Sequence, residues 1–210
     1  FLGTCGSVAA AALAGCCTTT SAGSTGKVVV VGGGFGGATA AKYLRMWSDN
    51  RIEVTLIEPN TAFVSCPISN LVVGGSKQLA DITVPHANLA GRHGVKVVHD
   101  RVAAIDPAKK TVRLASGSTL PYDRLVLSPG IDFMWDNVKD LQAASQSGRI
   151  LQAWKAGPET VALRRQLEVM PDGGVYALAI PEAPYRCPPG PYERASVIAS
   201  YFKQAKPKSK

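Results

Sequence analysis

Residues 27–58 constrain the fold more than any other stretch. They read KVVVVGGGFGGATAAKYLRMWSDNRIEVTLIE, which predicts a strand, a glycine turn, a helix and a second strand ending on an acid. The apolar run over residues 28–31 suits a strand buried on both faces. Gly32, Gly34 and Gly37 come next, in G-x-G-x-x-G spacing. The first glycine permits the tight turn, the second lets backbone approach a pyrophosphate, and the third lets helix and strand pack closely. The helix start offers unpaired N–H groups and a partial positive charge to the phosphates. Glu58 closes the second strand, where a carboxylate accepts hydrogen bonds from adenosine ribose hydroxyls. Glycine clusters also make ordinary turns, but here strand, turn, helix, strand and acid occur in order. That order points to a dinucleotide, either FAD or a nicotinamide.

A chain of 210 residues holds one large domain or one and a half. Its 46% hydrophobic and 18% charged residues fit an ordinary globular protein. The net charge of +8 is concentrated at one end: Lys203, Lys206, Lys208 and Lys210 account for half of it. No basic stripe interleaved with aromatics is present, so no nucleic-acid partner is expected. The chain opens on Phe1 rather than Met and closes in a basic run after one helix, so both ends read as those of a fragment.

Residues 1–26 are read as an export signal and spacer. An Ala-rich apolar segment, too short to span a bilayer, precedes a Thr/Ser/Gly stretch. The opening Phe-Leu resembles the residues after the arginine pair of a twin-arginine signal, a route suited to a protein that folds around its cofactor before export. Leu13-Ala14-Gly15-Cys16 also resembles a lipoprotein cleavage box, leaving lipid anchoring open. Cys5, Cys16 and Cys17 then belong to the signal region, and Cys66 and Cys187 to the folded part. A structural disulfide between those two is open in an exported protein, although their surroundings point further. Pro67 can open a short helix ending near Gly74 and Gly75, which places Cys66 where the helix dipole favours a thiolate. Cys187 lies beside Arg186 and just before a final helix over residues 191–202, in a proline-stiffened turn. That setting suits a redox sulfur held at a fixed distance.

Between these cysteines, a helix is expected over residues 85–92 and a strand over 95–99. Short strands come after it over residues 101–105, 111–114 and 119–120, joined by hairpin turns. Residues 122–130, YDRLVLSPG, predict another strand and a tight turn. Residues 131–156 read as a surface connection with partial helix, and residues 158–170 as a helix with apolar residues at helical spacing. A strand is expected over residues 174–180. His86, His93 and His99 show no ligand-like grouping and read as surface or packing residues. The last strand–turn–helix stands where a second nucleotide-binding domain would begin, but its turn, PYRCPPGP over residues 184–191, holds a single glycine. Proline removes the N–H donors a pyrophosphate needs, so NAD(P)H is not expected there.

The inserted strands and the YDRLVLSPG motif resemble FAD domains of the glutathione-reductase type, whose motif commonly ends Ala-Thr-Gly rather than Ser-Pro-Gly. From Lys27 to about Lys206 the chain resembles the flavoprotein subunit of flavocytochrome c sulfide dehydrogenase. The specific stretches are IEPN and SCPISN around Cys66, AWKAG at residues 153–157, and RCPPGPYERA at residues 186–195. The resemblance implies an α/β, Rossmann-like three-layer FAD/NAD(P)-binding fold of glutathione-reductase type, incomplete here. Residues 27–156 would form the first part of the FAD-binding domain, and residues 157–210 the truncated start of a second, nucleotide-binding-like one. It further implies FAD joined by a thioether to Cys66 and a redox-active disulfide at Cys187, whose partner lies outside this sequence. Sulfide would be the substrate. The electron acceptor would be a periplasmic c-type cytochrome subunit, which alone carries the haem. A sulfide:quinone reductase-like flavoprotein uses the same fold and cysteine chemistry and is the alternative. The isolated 210 residues could also be a non-catalytic nucleotide-binding module.

Overall fold

A computed structural model describes residues 25–180 and 182–210. The export-signal, twin-arginine and lipoprotein expectations fall almost wholly outside the described residues.

The centre is a four-stranded parallel sheet. It contains β1 (Gly26–Val31), β2 (Ile52–Ile57), β5 (Lys96–Val98) and β9 (Arg124–Leu127), in the order β5-β2-β1-β9. β1 and β2 pair in full register from Gly26 opposite Ile52 to Val31 opposite Ile57. Side chains alternate along β1, and both of its faces are covered. Val28 and Val30 pack with Ala41 of α1 (Phe35–Trp47), and with Val54, Leu56 and Val95. Val29 faces the other way and joins Ile57, Val112 and Leu114. The last two come from β7 (Thr111–Leu114), the middle strand of an antiparallel meander with β6 (Val102–Asp106) and β8 (Thr119–Pro121). Helix, parallel sheet and meander are the three layers, and the expected parallel-sheet architecture is present.

Two short strands not anticipated from the sequence, β3 (Ala62–Val64) and β4 (Thr83–Pro85), pair antiparallel. Between them lies α2 (Ser69–Gly74), and after them comes α3 (Ala87–His93). α4 (Leu141–Gln146) occupies the surface connection. α5 (Pro158–Val169) and α6 (Pro189–Ala205) close the chain. Leu163 and Leu167 of α5, Ile198 and Phe202 of α6, and Val73 of α2 form a separate core. This core docks the C-terminal helices onto the segment just after Cys66.

The strand expected over residues 174–180 does not form. A strand needs a neighbour to take its N–H and C=O groups, and among the described residues Lys210 alone pairs with this segment in that way. Tyr176 N–H donates to the Lys210 carbonyl at 2.8 Å, and Lys210 N–H donates to the Gly174 carbonyl at 3.0 Å.

Candidate cofactor cradle and cysteine site

Two of the three motif glycines between β1 and α1 are required by close approaches. Gly32 has φ +94°, and a Cβ there would stand 2.0 Å from the Ser128 carbonyl oxygen at the exit of β9. At Gly37 a Cβ would lie 1.8 Å from the Gly32 carbonyl oxygen. Gly34 differs: its φ is −76°, and the nearest atom to an added Cβ is a Phe63 ring carbon at 3.7 Å. Nothing in the protein itself demands glycine at position 34. It leaves open space at the start of a 13-residue helix, where outward-facing N–H groups can accommodate a phosphate. The residues present therefore fit a dinucleotide.

Glu58 stands beside this turn. Its Oε2 accepts the Gly33 N–H at 2.7 Å, and its Oε1 accepts the backbone N–H (2.9 Å) and side-chain amide (2.7 Å) of Asn60. Partial burial pushes the carboxyl up, but those hydrogen bonds and nearby His86 outweigh it and leave the group below its ordinary range. An ionised carboxylate retains lone pairs for ribose hydroxyls.

His86, expected at the surface or in packing, is the second brace of the turn. It is 3% exposed, with Nε2 2.8 Å from the Gly33 carbonyl oxygen and Nδ1 3.1 Å from the Asn60 carbonyl oxygen. Gly33 is thus gripped at both ends of its backbone. A Cβ there would meet His86 Nε2 at 2.5 Å and Glu58 Cγ at 2.8 Å. The motif spacing does not signal this requirement.

From the cradle, β3 leads to Cys66. Phe63 of β3 packs edge-on against Phe35 of α1 with ring centres 4.8 Å apart, and Cys66 lies two residues after Val64. The Cys66 thiol is half-buried and donates to the Trp154 carbonyl at 2.8 Å. Burial pushes its pKa up, opposed chiefly by the charge of Arg194. The expected lowering by a helix dipole does not dominate: α2 begins three residues later, at Ser69, and has only six residues.

Cys187 is exposed and lies two residues before α6, with φ +58°. Its sulfur and the Trp154 ring stand 3.5 and 3.4 Å from the point a Cβ of Gly190 would occupy. Trp154 thus borders both cysteines, its carbonyl accepting the Cys66 thiol and its ring lying beside the Cys187 sulfur at Gly190. The two cysteines therefore belong to one site, although 121 positions separate Cys66 from Cys187 in the chain. Arg194, Asn70 and Trp154 complete it; they lie within the stretches RCPPGPYERA, SCPISN and AWKAG, in which the sequence marks out a role only for the cysteines. One signal was available for Arg194: it shares the buried face of α6 with Ile198 and Phe202, at spacings of four.

Comparison with known proteins places this geometry. Residues 26–156 match the pyridine nucleotide-disulphide oxidoreductase family. Residues 160–210 match the central region of the sulfide dehydrogenase (flavocytochrome c) flavoprotein chain. The flavoprotein chain of that enzyme from Chlorobaculum thiosulfatiphilum is 69% identical over 38 residues, covering 18% of this chain and 77% of the relative. The mitochondrial sulfide:quinone oxidoreductase of Mus musculus is 27% identical over 172 residues, 80% of this chain and 37% of the relative. The solved sulfide:quinone oxidoreductase of Aquifex aeolicus superposes with a TM-score of 0.58 at 25% identity, over 71% of this chain and 34% of that one. The chain thus spans little more than a third of these two sulfide:quinone oxidoreductases. It belongs to the pyridine nucleotide-disulphide oxidoreductase family and, within it, to the flavoprotein chains of flavocytochrome c sulfide dehydrogenase.

Proposed function

We propose that this chain provides the FAD-binding and sulfur-reactive part of an exported sulfide dehydrogenase whose electrons pass to a c-type cytochrome subunit. The observation that carries the reading is the placement of Cys66 and Cys187 on either side of Trp154, which also packs on Arg194, with β3 linking that site to the dinucleotide cradle. Gly32, Gly34 and Gly37 would receive the pyrophosphate and Glu58 the ribose, while Cys66 would hold the flavin ring through a thioether. FAD would supply the capacity to take two electrons and release them singly to a haem on the partner.

Cys187 would form a disulfide with a cysteine outside this sequence. Hydrosulfide attacks one sulfur, the S–S bond breaks, and a persulfide and a thiolate result. The exposed sulfur, held at positive φ in a turn stiffened by Pro188 and Pro189, suits an attack that needs access and fixed geometry. Proline within the first turn of α6 disfavours a second phosphate cradle, which supports a haem acceptor over NAD(P)H. Residues 157–210 would open the second, nucleotide-binding-like domain. Residues 1–26 would direct export to the periplasm, with lipid anchoring at Cys16 the alternative to simple cleavage.

The test is mass spectrometry of the denatured, digested full-length protein, then an assay of sulfide-driven cytochrome c reduction. A Cys66 peptide carrying the mass of a flavin, with cytochrome reduction, is the expected result. A bare Cys66 with non-covalent FAD and transfer to a quinone would replace the reading with a sulfide:quinone reductase. Absence of any flavin would end it.

A further inference from the structure

Among the described residues Arg194 is the one buried charge at the cysteine site, being 7% exposed. Its Nε donates to Asn70 Oδ1 at 3.0 Å, four residues beyond Cys66 in the same segment. Its Nη2 donates to the Ala153 carbonyl at 2.7 Å, and the next carbonyl along, that of Trp154, accepts the Cys66 thiol. Two consecutive carbonyls and one short segment thus hold guanidinium and thiol side by side. The Trp154 ring, centred 5.9 Å from the guanidinium carbon, covers one side.

Among the described residues no carboxylate stands at ion-pair distance from this charge. Among the described residues the ion pairs are Lys109–Asp106, Lys155–Asp132 and Arg164–Glu168. The titratable groups acting on Arg194 are Tyr176, Cys66, Glu193 and Cys187, and Glu193 is exposed on α6. A buried cation without a carboxylate partner is costly, and its cost falls when a neighbour becomes an anion.

We propose that Arg194 is a positioning residue whose uncompensated charge allows the half-buried Cys66 to lose its S–H proton to solvent and stand as a thiolate, the nucleophilic form toward a carbon electrophile. This deepens the reading of Cys66 as the reactive attachment sulfur by naming the group that activates it. Arg194 acts through Cys66 and need not touch the electrophile.

The full 210-residue chain, prepared without flavin, is alkylated with iodoacetamide from about pH 7 to about pH 11, and modification at Cys66 is read by mass spectrometry. Arg194→Gln should move the midpoint of the rate profile upward by about one pH unit, with about tenfold slower alkylation below it and the same plateau at high pH. Arg194→Lys, which keeps the charge, should restore most of the wild-type profile. An unmoved midpoint in a folded Arg194→Gln protein overturns the proposal. If circular dichroism shows that variant unfolded, Asn70→Asp decides. It keeps the acceptor for Nε, places a carboxylate on the guanidinium, and should raise the midpoint as well; an unchanged midpoint there is equally fatal. The experiment contains no flavin, so its outcome is separate from whether Cys66 of the full-length protein carries one.

Discussion

Arg194 and Asn70, 124 residues apart in the chain, meet in a buried hydrogen bond of 3.0 Å. This bond ties α6 to the segment carrying Cys66, and the one to the Ala153 carbonyl ties it to the stretch whose Trp154 carbonyl holds the thiol. Its loss has a calculable cost. Arg194→Ala strips two charge-assisted hydrogen bonds from a buried site and leaves Asn70 Oδ1 without that donor. A destabilisation of about 3 kcal/mol is expected in urea unfolding. Asn70→Ala should cost about 2 kcal/mol. The double variant should fall short of the sum by about 1 kcal/mol, because both substitutions delete the same bond. Strict additivity would show that the two side chains are not coupled.

The glycines of the turn separate into those the protein needs and one left free for a ligand. Gly37→Ala forces a methyl to 1.8 Å from the Gly32 carbonyl oxygen, and backbone must move. A loss of about 3 kcal/mol or more in stability is expected. Gly34→Ala meets nothing closer than 3.7 Å at an ordinary φ. Its thermal unfolding should match the wild type within about 0.5 kcal/mol, while FAD affinity falls at least about tenfold, or about 1.4 kcal/mol. Calorimetry for stability and fluorescence titration for FAD read the two effects apart. Wild-type FAD affinity in the Gly34→Ala protein would mean that the pyrophosphate lies elsewhere.

The parallel sheet was legible because a strand buried on both faces leaves an apolar run, and Val28 to Val31 is one. The pair β3–β4 left no such trace: three-residue strands are too short to show a period, and Pro85 reads as a break. The apolar residues of 174–180 have the look of a strand, yet strand formation depends on a partner that the segment itself does not encode. His86 illustrates the same limit. Its two contacts are to backbone carbonyls, which any sequence supplies, so its role emerges only when Gly33 and Asn60 are brought together by the fold. Cys66 and Cys187 were legible as reactive candidates, whereas their common environment around Trp154 required the docking of α6.

Glu58 makes the folded state sensitive to acid. Burial alone would raise its pKa, but hydrogen bonds from Asn60 and Gly33 and the proximity of His86 depress it in the folded protein. A depressed carboxyl contributes stability above its unfolded pKa and loses that contribution as pH falls through the folded value. Glu58 therefore supports the fold fully at neutral pH, and its share begins to be lost at about pH 4.5, the unfolded value, and is gone once pH falls below the lower folded value. Glu58→Gln should lower the melting temperature at pH 7 and flatten its decline between about pH 5 and about pH 3. Parallel wild-type and variant curves across that range would show that Glu58 is not the responsible group.

Cys187 sits at φ +58°, a conformation that costs an L-residue with a Cβ on the order of 1 kcal/mol. Its sulfur is exposed and lies against Gly190, at a site where a smaller residue opens no core cavity. Cys187→Gly should therefore be more stable than Cys187→Ala by about 1 kcal/mol in denaturant unfolding, since glycine adopts positive φ without the Cβ penalty. Both variants should abolish sulfide oxidation equally in the full-length protein, because each lacks the sulfur. The cysteine is thus held in a strained turn that glycine would relieve, and the two readouts separate backbone strain from chemistry. Equal stability of the Gly and Ala variants would remove the strain, and sulfide turnover surviving in either would remove the sulfur from the reaction.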